Sequence, residues 1–361
     1  LGALSQVVEM DASDCVVISD ELVGLSEVIQ FKKRCKVEHF FYVISSREDD
    51  QNARSIQAAC KAQDIRVIPP FRSVEQIGMD IYKHLFNSSS GTSKVVAAMA
   101  AVYGVGLTSS LLLLGKQLTE VSNIKVGIIG LNGFNHGTTL IDYKGKYLDE
   151  VWGMIDSQVL LQNDLISKMH LISPNLYYLA GNRDLLKVYT YTPEGISYLI
   201  DMAKGSFDLV ILDVGCYIDT ALAFQGILSS DLLLVQTNQD RFAKDNWLRQ
   251  KEQILSREIG IDFSVAKNIW LTCNKMFKTP DVETDSQLQD DYGLPGIASL
   301  PYINSFYQLQ NRQNLLNLSD KNYIKETNRI ADALIDYYEF PLKIIETRKK
   351  VKSGLFAWGN K

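Results

Sequence analysis

The chain has 361 residues, of which 46% are hydrophobic and 22% charged, and its formal net charge is −5. This composition is typical of a globular protein of about two domains, and the acidic balance argues against nucleic acid as a partner. The five cysteines form no CxxC pair or Cys/His cluster, and no apolar run reaches the roughly 18 residues of a membrane span, so we expect a cytoplasmic protein without a zinc site.

The first predicted domain, residues 1–86, alternates short apolar runs with helical patterns. The runs are β-branched or aromatic and end in polar residues or proline, which is typical of buried parallel strands. They are Cys15–Ser19, Phe40–Ser45 and Ile65–Pro69. Helical patterns over Asp49–Gln63 and Ser73–Leu85 follow the second and third runs, so we predict a small α/β sheet.

Residues Asn87–Ser93, NSSSGTS, are predicted to be a linker because small polar residues cannot bury enough surface to order themselves. Beyond it, residues 94–340 alternate strands and helices, which predicts a doubly wound, mainly parallel sheet. The predicted strands are Lys94–Val102, Lys125–Gly130, Leu176–Ala180, Leu209–Leu212, Asp231–Gln236, Asn268–Cys273 and Gly296–Leu300. The predicted helices include Ser109–Glu120, Pro193–Lys204, Lys244–Arg257 and Asp320–Tyr338.

The segment Tyr103–Ser110 joins the first of these strands to an apolar helix. Glycines at 104 and 106 let the backbone curl so that successive N–H groups face one anion, and the helix start adds its positive dipole end. Gly104 and Gly106 could instead form only a tight turn between strand and helix. The pattern predicts a phosphate-binding loop, although GxxxxGK[ST] is incomplete.

This loop is similar to the deviant Walker loop KGGVGKTT of the ParA/MinD family of P-loop ATPases. Gly104, Val105, Gly106 and Thr108 match that pattern, and Ser109 is a conservative match. Three positions do not match. The family has its signature lysine, its first glycine and its phosphate-contacting lysine there, and this chain has Val102, Tyr103 and Leu107. The nearest pattern is that of the CpaE/TadZ subgroup of pilus-assembly proteins.

Later landmarks follow the family's order. The strand in Phe207–Gly215, FDLVILDVG, resembles Walker B, so the resemblance implies that Asp213 holds Mg²⁺ together with Thr108; a helix N-cap is the alternative role for Asp213. Gly130 and Asn132 stand where the family has acidic residues. Asn274 matches the adenine-contacting Asn, with a plain turn residue as the alternative.

Pro301 and Tyr302, at the end of GIASLPY, match residues that lie beside the base. The resemblance therefore implies that ATP or ADP binds to one set of residues, with Mg²⁺ at Thr108 and Asp213. That set is Gly104, Val105, Gly106, Leu107, Thr108, Ser109, Asn274, Pro301 and Tyr302. Because two cations and two carboxylates are missing, we expect a weak or inactive ATPase.

The two flanking regions carry weaker signals. Residues 1–86 resemble the receiver domains that precede the ATPase in CpaE/TadZ proteins, with Asp20 placed like a phosphoacceptor, but Ile68 and Pro69 stand where Lys-Pro is expected, so we predict a degenerate receiver. The tail, residues 341–361, combines basic and aromatic residues that suit an anionic membrane surface or, alternatively, a protein partner. These are Arg348, Lys349, Lys350, Lys352, Phe356 and Trp358.

The resemblance implies a CpaE/TadZ-like pseudo-ATPase that forms a homodimer with the assistance of nucleotide and acts as a localisation or assembly factor for a bacterial pilus or secretion machine. Its partners would be protein components of that machine, at the inner face of the cell membrane. Two alternatives remain open. One is an active ParA/MinD-type ATPase that positions DNA or division components, and the other is a nucleotide-free structural module.

Overall fold

The computed structural model describes residues 15–34, 37, 39–44, 56, 59–60, 62–68, 77–78, 81, 94–263, 266 and 268–343. The predicted linker, Asn87–Ser93, lies outside these ranges, as do residues 344–361 with all six residues singled out in the tail. The domain boundaries therefore stay predictions. Among the described helices, none combines the length and the apolar composition that a membrane span requires.

The N-terminal region contains a small parallel sheet. Strands β1 (Cys15–Ser19), β2 (His39–Val43) and β3 (Arg66–Ile68) lie in that order, and helix α1 (Leu25–Arg34) connects the first two. Glu27 in the first turn and three basic residues in the last turn of α1 complement the helix dipole. The core of this N-terminal region includes Val28, Phe40 and Ile65. All three strand predictions are confirmed, whereas the likeness to a receiver stays a prediction.

The second sheet has eight strands in the order β11-β10-β9-β4-β8-β5-β7-β6. Their bounds are β4 Val95–Ala100, β5 Val126–Gly130, β6 His170–Ser173, β7 Leu176–Leu179, β8 Leu209–Gly215, β9 Leu232–Thr237, β10 Ile269–Met276 and β11 Gly296–Pro301. All neighbouring pairs are parallel except β6 and β7, which are antiparallel. The mainly parallel sheet is confirmed. Strand β6 was not predicted from the sequence; it is a half-exposed strand of four residues at the sheet edge.

Helices cover both faces of this sheet, which explains why its strands are continuous apolar runs. In β4, Val95, Ala97 and Met99 pack into one apolar layer, while the alternate residues pack into the other. The first layer includes α3 (Leu148–Asp156), α4 (Gln162–Lys168), α5 (Pro193–Lys204), α6 (Ala221–Leu228), α7 (Arg241–Gln250) and α8 (Asp285–Tyr292). The second includes α2 (Leu107–Val121), α9 (Phe306–Asn311) and α10 (Lys321–Tyr338). The doubly wound architecture is therefore confirmed.

The two ends of this large domain lie close together. Lys94 precedes β4, and its Nζ lies 4.3 Å from the ring centroid of Phe340, which follows α10. Lys343, the last described residue, donates its backbone N–H to the carbonyl of Val121 at the end of α2, at 2.9 Å. The chain therefore enters and leaves the domain at the amino edge of the sheet, opposite the end of β4 from which the predicted phosphate loop emerges.

Candidate functional site at the carboxyl edge of the sheet

The predicted phosphate loop leaves the carboxyl end of β4, which lies between β8 and β9 near the middle of the sheet. Gly104 (φ 79°) and Gly106 (φ 93°) both have left-handed backbone conformations, which glycine adopts without strain. Gly106 is the N-cap of α2, and no side chain of the described residues caps it. The first N–H groups of α2 are therefore left for an anion, at the place where α/β folds bind ligands.

Asp213 and Thr108 meet in the interior beside this loop. The Thr108 hydroxyl donates to the Asp213 carboxylate at 2.5 Å, and the Gly215 N–H donates to the same carboxylate at 3.2 Å. Asp213 lies inside β8, whereas the helix that follows begins after a different N-cap, Thr220, which rules out the N-cap role for Asp213. Burial raises the pKa of Asp213 to about 6, and the two hydrogen bonds only partly oppose this.

The oxygens of Thr108 and Asp213 suit Mg²⁺. Magnesium prefers hard oxygen ligands and is usually held by one or two protein groups together with water and substrate phosphates. Among the described residues, no group of three or more His, Cys, Asp or Glu side chains could hold a metal by itself. A magnesium ion at this place would therefore depend on water and on the phosphates of a bound nucleotide for the rest of its ligands.

The two positions where the family has loop lysines are filled by apolar residues. Leu107 is 7% exposed and packs into the apolar layer beneath α2, and Val102 packs against both layers of the domain. Neither side chain can make a charged contact with phosphate. Tyr103 lines the cleft but is 64% exposed, so it does not fill the space that a ligand would take.

The two positions where the family has acidic residues differ from each other. At Gly130, a Cβ atom would lie 2.5 Å from the Gly181 nitrogen and 2.8 Å from its Cα, so no side chain fits without a backbone shift. Asn132 instead caps the turn after β5, because its Oδ1 accepts from Phe134 N at 3.0 Å and Asn135 N at 3.2 Å. Close packing therefore explains the missing carboxylate at Gly130, whereas the turn at 132 uses only an acceptor oxygen, which Asn and Asp both supply.

The residues predicted to contact the base line the same cleft as the loop. Asn274, Pro301 and Tyr302 all do so, and the Tyr302 ring stacks on Phe277 with 4.6 Å between centroids. Asn274 is 3% exposed and lies within β10; its Oδ1 accepts from Lys275 N at 2.8 Å, and its Nδ2 approaches the Gly106 carbonyl at 3.5 Å. Asn274 therefore connects β10 to the phosphate loop rather than acting as a plain turn residue.

Several residues that line the cleft were not expected from the sequence. They are Asn135, Thr139, Leu140, Cys216, Lys275, Ile303, Phe306, Tyr307, Gln310 and Tyr323. Most lie on the loop after β5, on α9 or at the start of α10, elements that reach the cleft through tertiary packing and carry no local motif. Lys275, Ile303 and Cys216 directly follow Asn274, Tyr302 and the predicted Walker B segment, so adjacency was the available signal for these three.

No protein-family model matches the sequence, and no curated protein sequence matches it. Solved structures match its fold. A ParA family ATPase from Chlorobium tepidum TLS gives a TM-score of 0.56 at 18% identity, over 68% of this chain and 99% of that chain. The MinC:MinD cell division protein complex of Aquifex aeolicus gives 0.54 at 14%, over 67% of this chain and 96% of that chain.

A putative plasmid partition protein from Borrelia burgdorferi B31, bound to AMPPNP, gives a TM-score of 0.51 at 15% identity, over 68% of this chain and all of that chain. At these identities the likeness establishes the fold alone. The eight-stranded domain has the fold of ParA/MinD-type P-loop ATPases, as the loop and strand motifs predict.

Proposed function

We propose that the cleft binds an adenine nucleotide with Mg²⁺ as a structural or switching ligand and hydrolyses it at or near background. Three features of the cleft carry this proposal. They are the glycine loop, the buried contact between Thr108 and Asp213, and the apolar side chains at both positions where the family has a lysine. The first two features suit phosphate and magnesium. The third removes the charge that a phosphoryl-transfer transition state needs.

The size of these effects separates binding from turnover. One charge-assisted contact to phosphate contributes about 1.5–3 kcal/mol, so its loss weakens binding roughly ten- to hundredfold while the backbone N–H groups remain. Hydrolysis also needs a positioned water and stabilised charge on the transferred group. Leu107 is buried in the apolar layer and supplies no charge, and Gly130 has no room for a carboxylate. These two positions therefore neither stabilise charge on the transferred group nor position a water.

We further propose that the protein is a homodimer and a CpaE/TadZ-like localisation or assembly factor for a bacterial surface machine. Exposed aromatic side chains near the cleft support an interaction surface there. Tyr103 is 64%, Phe134 43% and Tyr217 48% exposed, and the last two rings lie 4.6 Å apart. The similar MinD structure is itself a complex with a second protein, MinC.

The test is to measure nucleotide binding and turnover on one preparation. Wild-type protein is expected to bind ADP or a non-hydrolysable ATP analogue in a Mg²⁺-dependent manner by calorimetry, with no phosphate release above a protein-free control. Turnover on the order of 1 per second, lost in Asp213→Ala, would instead support an active ParA/MinD-type ATPase. Absence of any binding would support the nucleotide-free structural module.

A second expected result concerns the tail. We propose that residues 344–361 attach the protein weakly to an anionic membrane, because each basic residue near such a surface contributes about 1 kcal/mol, and this falls with salt. The last described residue, Lys343, is held at the end of α2, at the edge of the sheet opposite the cleft. Full-length protein should sediment with anionic vesicles at low salt, and protein ending at Lys343 should not.

The matched control replaces Arg348, Lys349, Lys350 and Lys352 by Gln and leaves Phe356 and Trp358 in place. This variant should no longer sediment with anionic vesicles, although its tail has the same length as in the wild type. Equal sedimentation of all three proteins, or of none, would favour a docking segment for a protein partner.

A further inference from the structure

Lys275 is the one charged residue among the described residues that line the cleft. It is half-buried, and within the described part of the chain no carboxylate lies within ion-pair distance of its Nζ. A cation in such a position attracts anionic ligands, because no neighbouring charge neutralises it. This charge comes from β10, not from the loop where the family's lysines lie.

The backbone at Lys275 is unusual for a residue in a strand. Its φ is 57°, in the left-handed region that favours glycine, and the pairing of β10 with β11 shifts register between Cys273 and Met276. A non-glycine residue in this conformation costs on the order of 1 kcal/mol or more, and such residues cluster at functional sites. The kink turns the Lys275 side chain towards the loop that follows β4.

The side chain reaches that loop from its carbonyl side. Lys275 Nζ donates to the Gly104 carbonyl at 2.6 Å, and Asn274 Nδ2 approaches the Gly106 carbonyl at 3.5 Å. The end of β10 thus contacts two of the three peptides across the turn. An ammonium group on a carbonyl oxygen polarises that peptide, so the N–H groups on the other side of the loop become better donors to an anion.

We propose that Lys275 is a positioning residue for the phosphates of the bound nucleotide and takes over part of the role of the two missing loop lysines. It acts through the loop: it fixes Gly104 in its left-handed conformation and adds positive charge behind the amides that face the phosphates. This inference rests on the proposed nucleotide binding. It explains how a loop without lysines can attract a polyanion.

The experiment compares Lys275→Met with Lys275→Arg by calorimetry, with adenosine and ADP as probes in the presence of Mg²⁺. Lys275→Met should weaken ADP binding about five- to tenfold, less than the loss of a direct contact to phosphate, because Lys275 acts through the exposed Gly104 carbonyl. Binding of adenosine, which has no phosphate, should change less than about threefold, and Lys275→Arg should recover part of the affinity. Lys278→Met, an exposed lysine three residues further on, is the matched control and should bind both like wild type.

The outcomes separate this inference from the proposed function. If wild type and Lys275→Met bind ADP equally, Lys275 has no phosphate role, although nucleotide binding stands. If both probes weaken equally, Lys275 supports only the general shape of the cleft, and the inference is overturned. If wild type binds no nucleotide, the proposed function fails. The contact between Lys275 and the loop is then tested by hydrogen exchange of amides 104–109 in ligand-free protein. Faster exchange in Lys275→Met supports that contact, and unchanged rates overturn it.

Discussion

Asp213→Asn is expected to stabilise the fold at pH 7.5 and to abolish Mg²⁺-dependent nucleotide binding in the same molecule. Burial raises the pKa of Asp213 to about 6, above its value near 4 in an unfolded chain. The folded state therefore favours the protonated form, so this carboxyl contributes most to stability at low pH, and the contribution is lost as pH rises from about 4 through 6. Above pH 6 the buried charge costs about 3 kcal/mol.

An asparagine avoids this penalty and can keep both contacts, since its Oδ1 accepts from Gly215 N and its Nδ2 donates to the Thr108 hydroxyl. Urea denaturation should give a higher unfolding free energy for the variant at pH 7.5, by about 1–3 kcal/mol, and about half of that gain at pH 5. Thermal shift with ADP and Mg²⁺ should be positive for wild type and absent for the variant.

Asp219→Asn is the control, because Asp219 is exposed on the loop that follows β8, and the substitution is the same. Its stability should not change at either pH. An equal gain for Asp213→Asn at both pH values would show that ionisation is not the cause. If Asp213→Asn bound nucleotide with wild-type affinity, Asp213 would not be the residue that holds Mg²⁺.

Gly130→Asp, which restores an acidic residue of the family's pattern, is expected to be severely destabilising. The new Cβ would lie 2.5 Å from the Gly181 nitrogen, and β5 is held between β7 and β8, so the backbone has little freedom to move. Overpacking alone typically costs about 1–3 kcal/mol, and a buried unpaired carboxylate adds to this. We expect a loss of more than about 3 kcal/mol in unfolding free energy, or insoluble protein.

Asn132→Asp restores the other acidic residue and gives the matched comparison. Its carboxylate can accept the same two N–H groups, from Phe134 and Asn135, so we expect a change within about 1 kcal/mol by chemical denaturation. Neither variant should gain ATP turnover, because both lysine positions stay apolar. If Gly130→Asp folded as stably as Asn132→Asp, the close approach of Gly130 to Gly181 would not explain the missing carboxylate.

The architecture of the large domain could be predicted because its strands are buried on both faces. All seven predicted strands of this sheet are present, since runs such as Leu209–Leu212 are apolar without a break. The missed strand, β6, has one exposed and three half-buried residues, so no run or alternation marks it. The helix predicted from Lys244 begins earlier, at Arg241, where the Asp240 side chain accepts from Phe242 N at 2.9 Å and caps it.

The candidate site could be predicted where its residues follow one another along the chain. Gly104, Gly106 and Thr108 form a local pattern, and Asp213 follows the apolar run Leu209–Leu212, so their meeting at one edge follows from parallel strand order. The aromatic side of the cleft could not be predicted, because Phe306, Tyr307 and Tyr323 come from helices whose docking depends on the whole domain. The contact from Lys275 depends on a left-handed backbone conformation that the residue types at this position do not predict.

The positions of the two domain ends have a consequence for signalling within the molecule. The chain enters at Lys94, runs through β4 to the cleft, and returns along α2 to Val121, whose carbonyl holds Lys343 at the exit. One strand–loop–helix unit thus connects the cleft to both attachment points, and α2, with 15 residues, is a rod of about 22 Å. A tilt of α2 would therefore move Lys343 directly, so a change in the conformation of the phosphate loop would be transmitted to the point where the described chain ends.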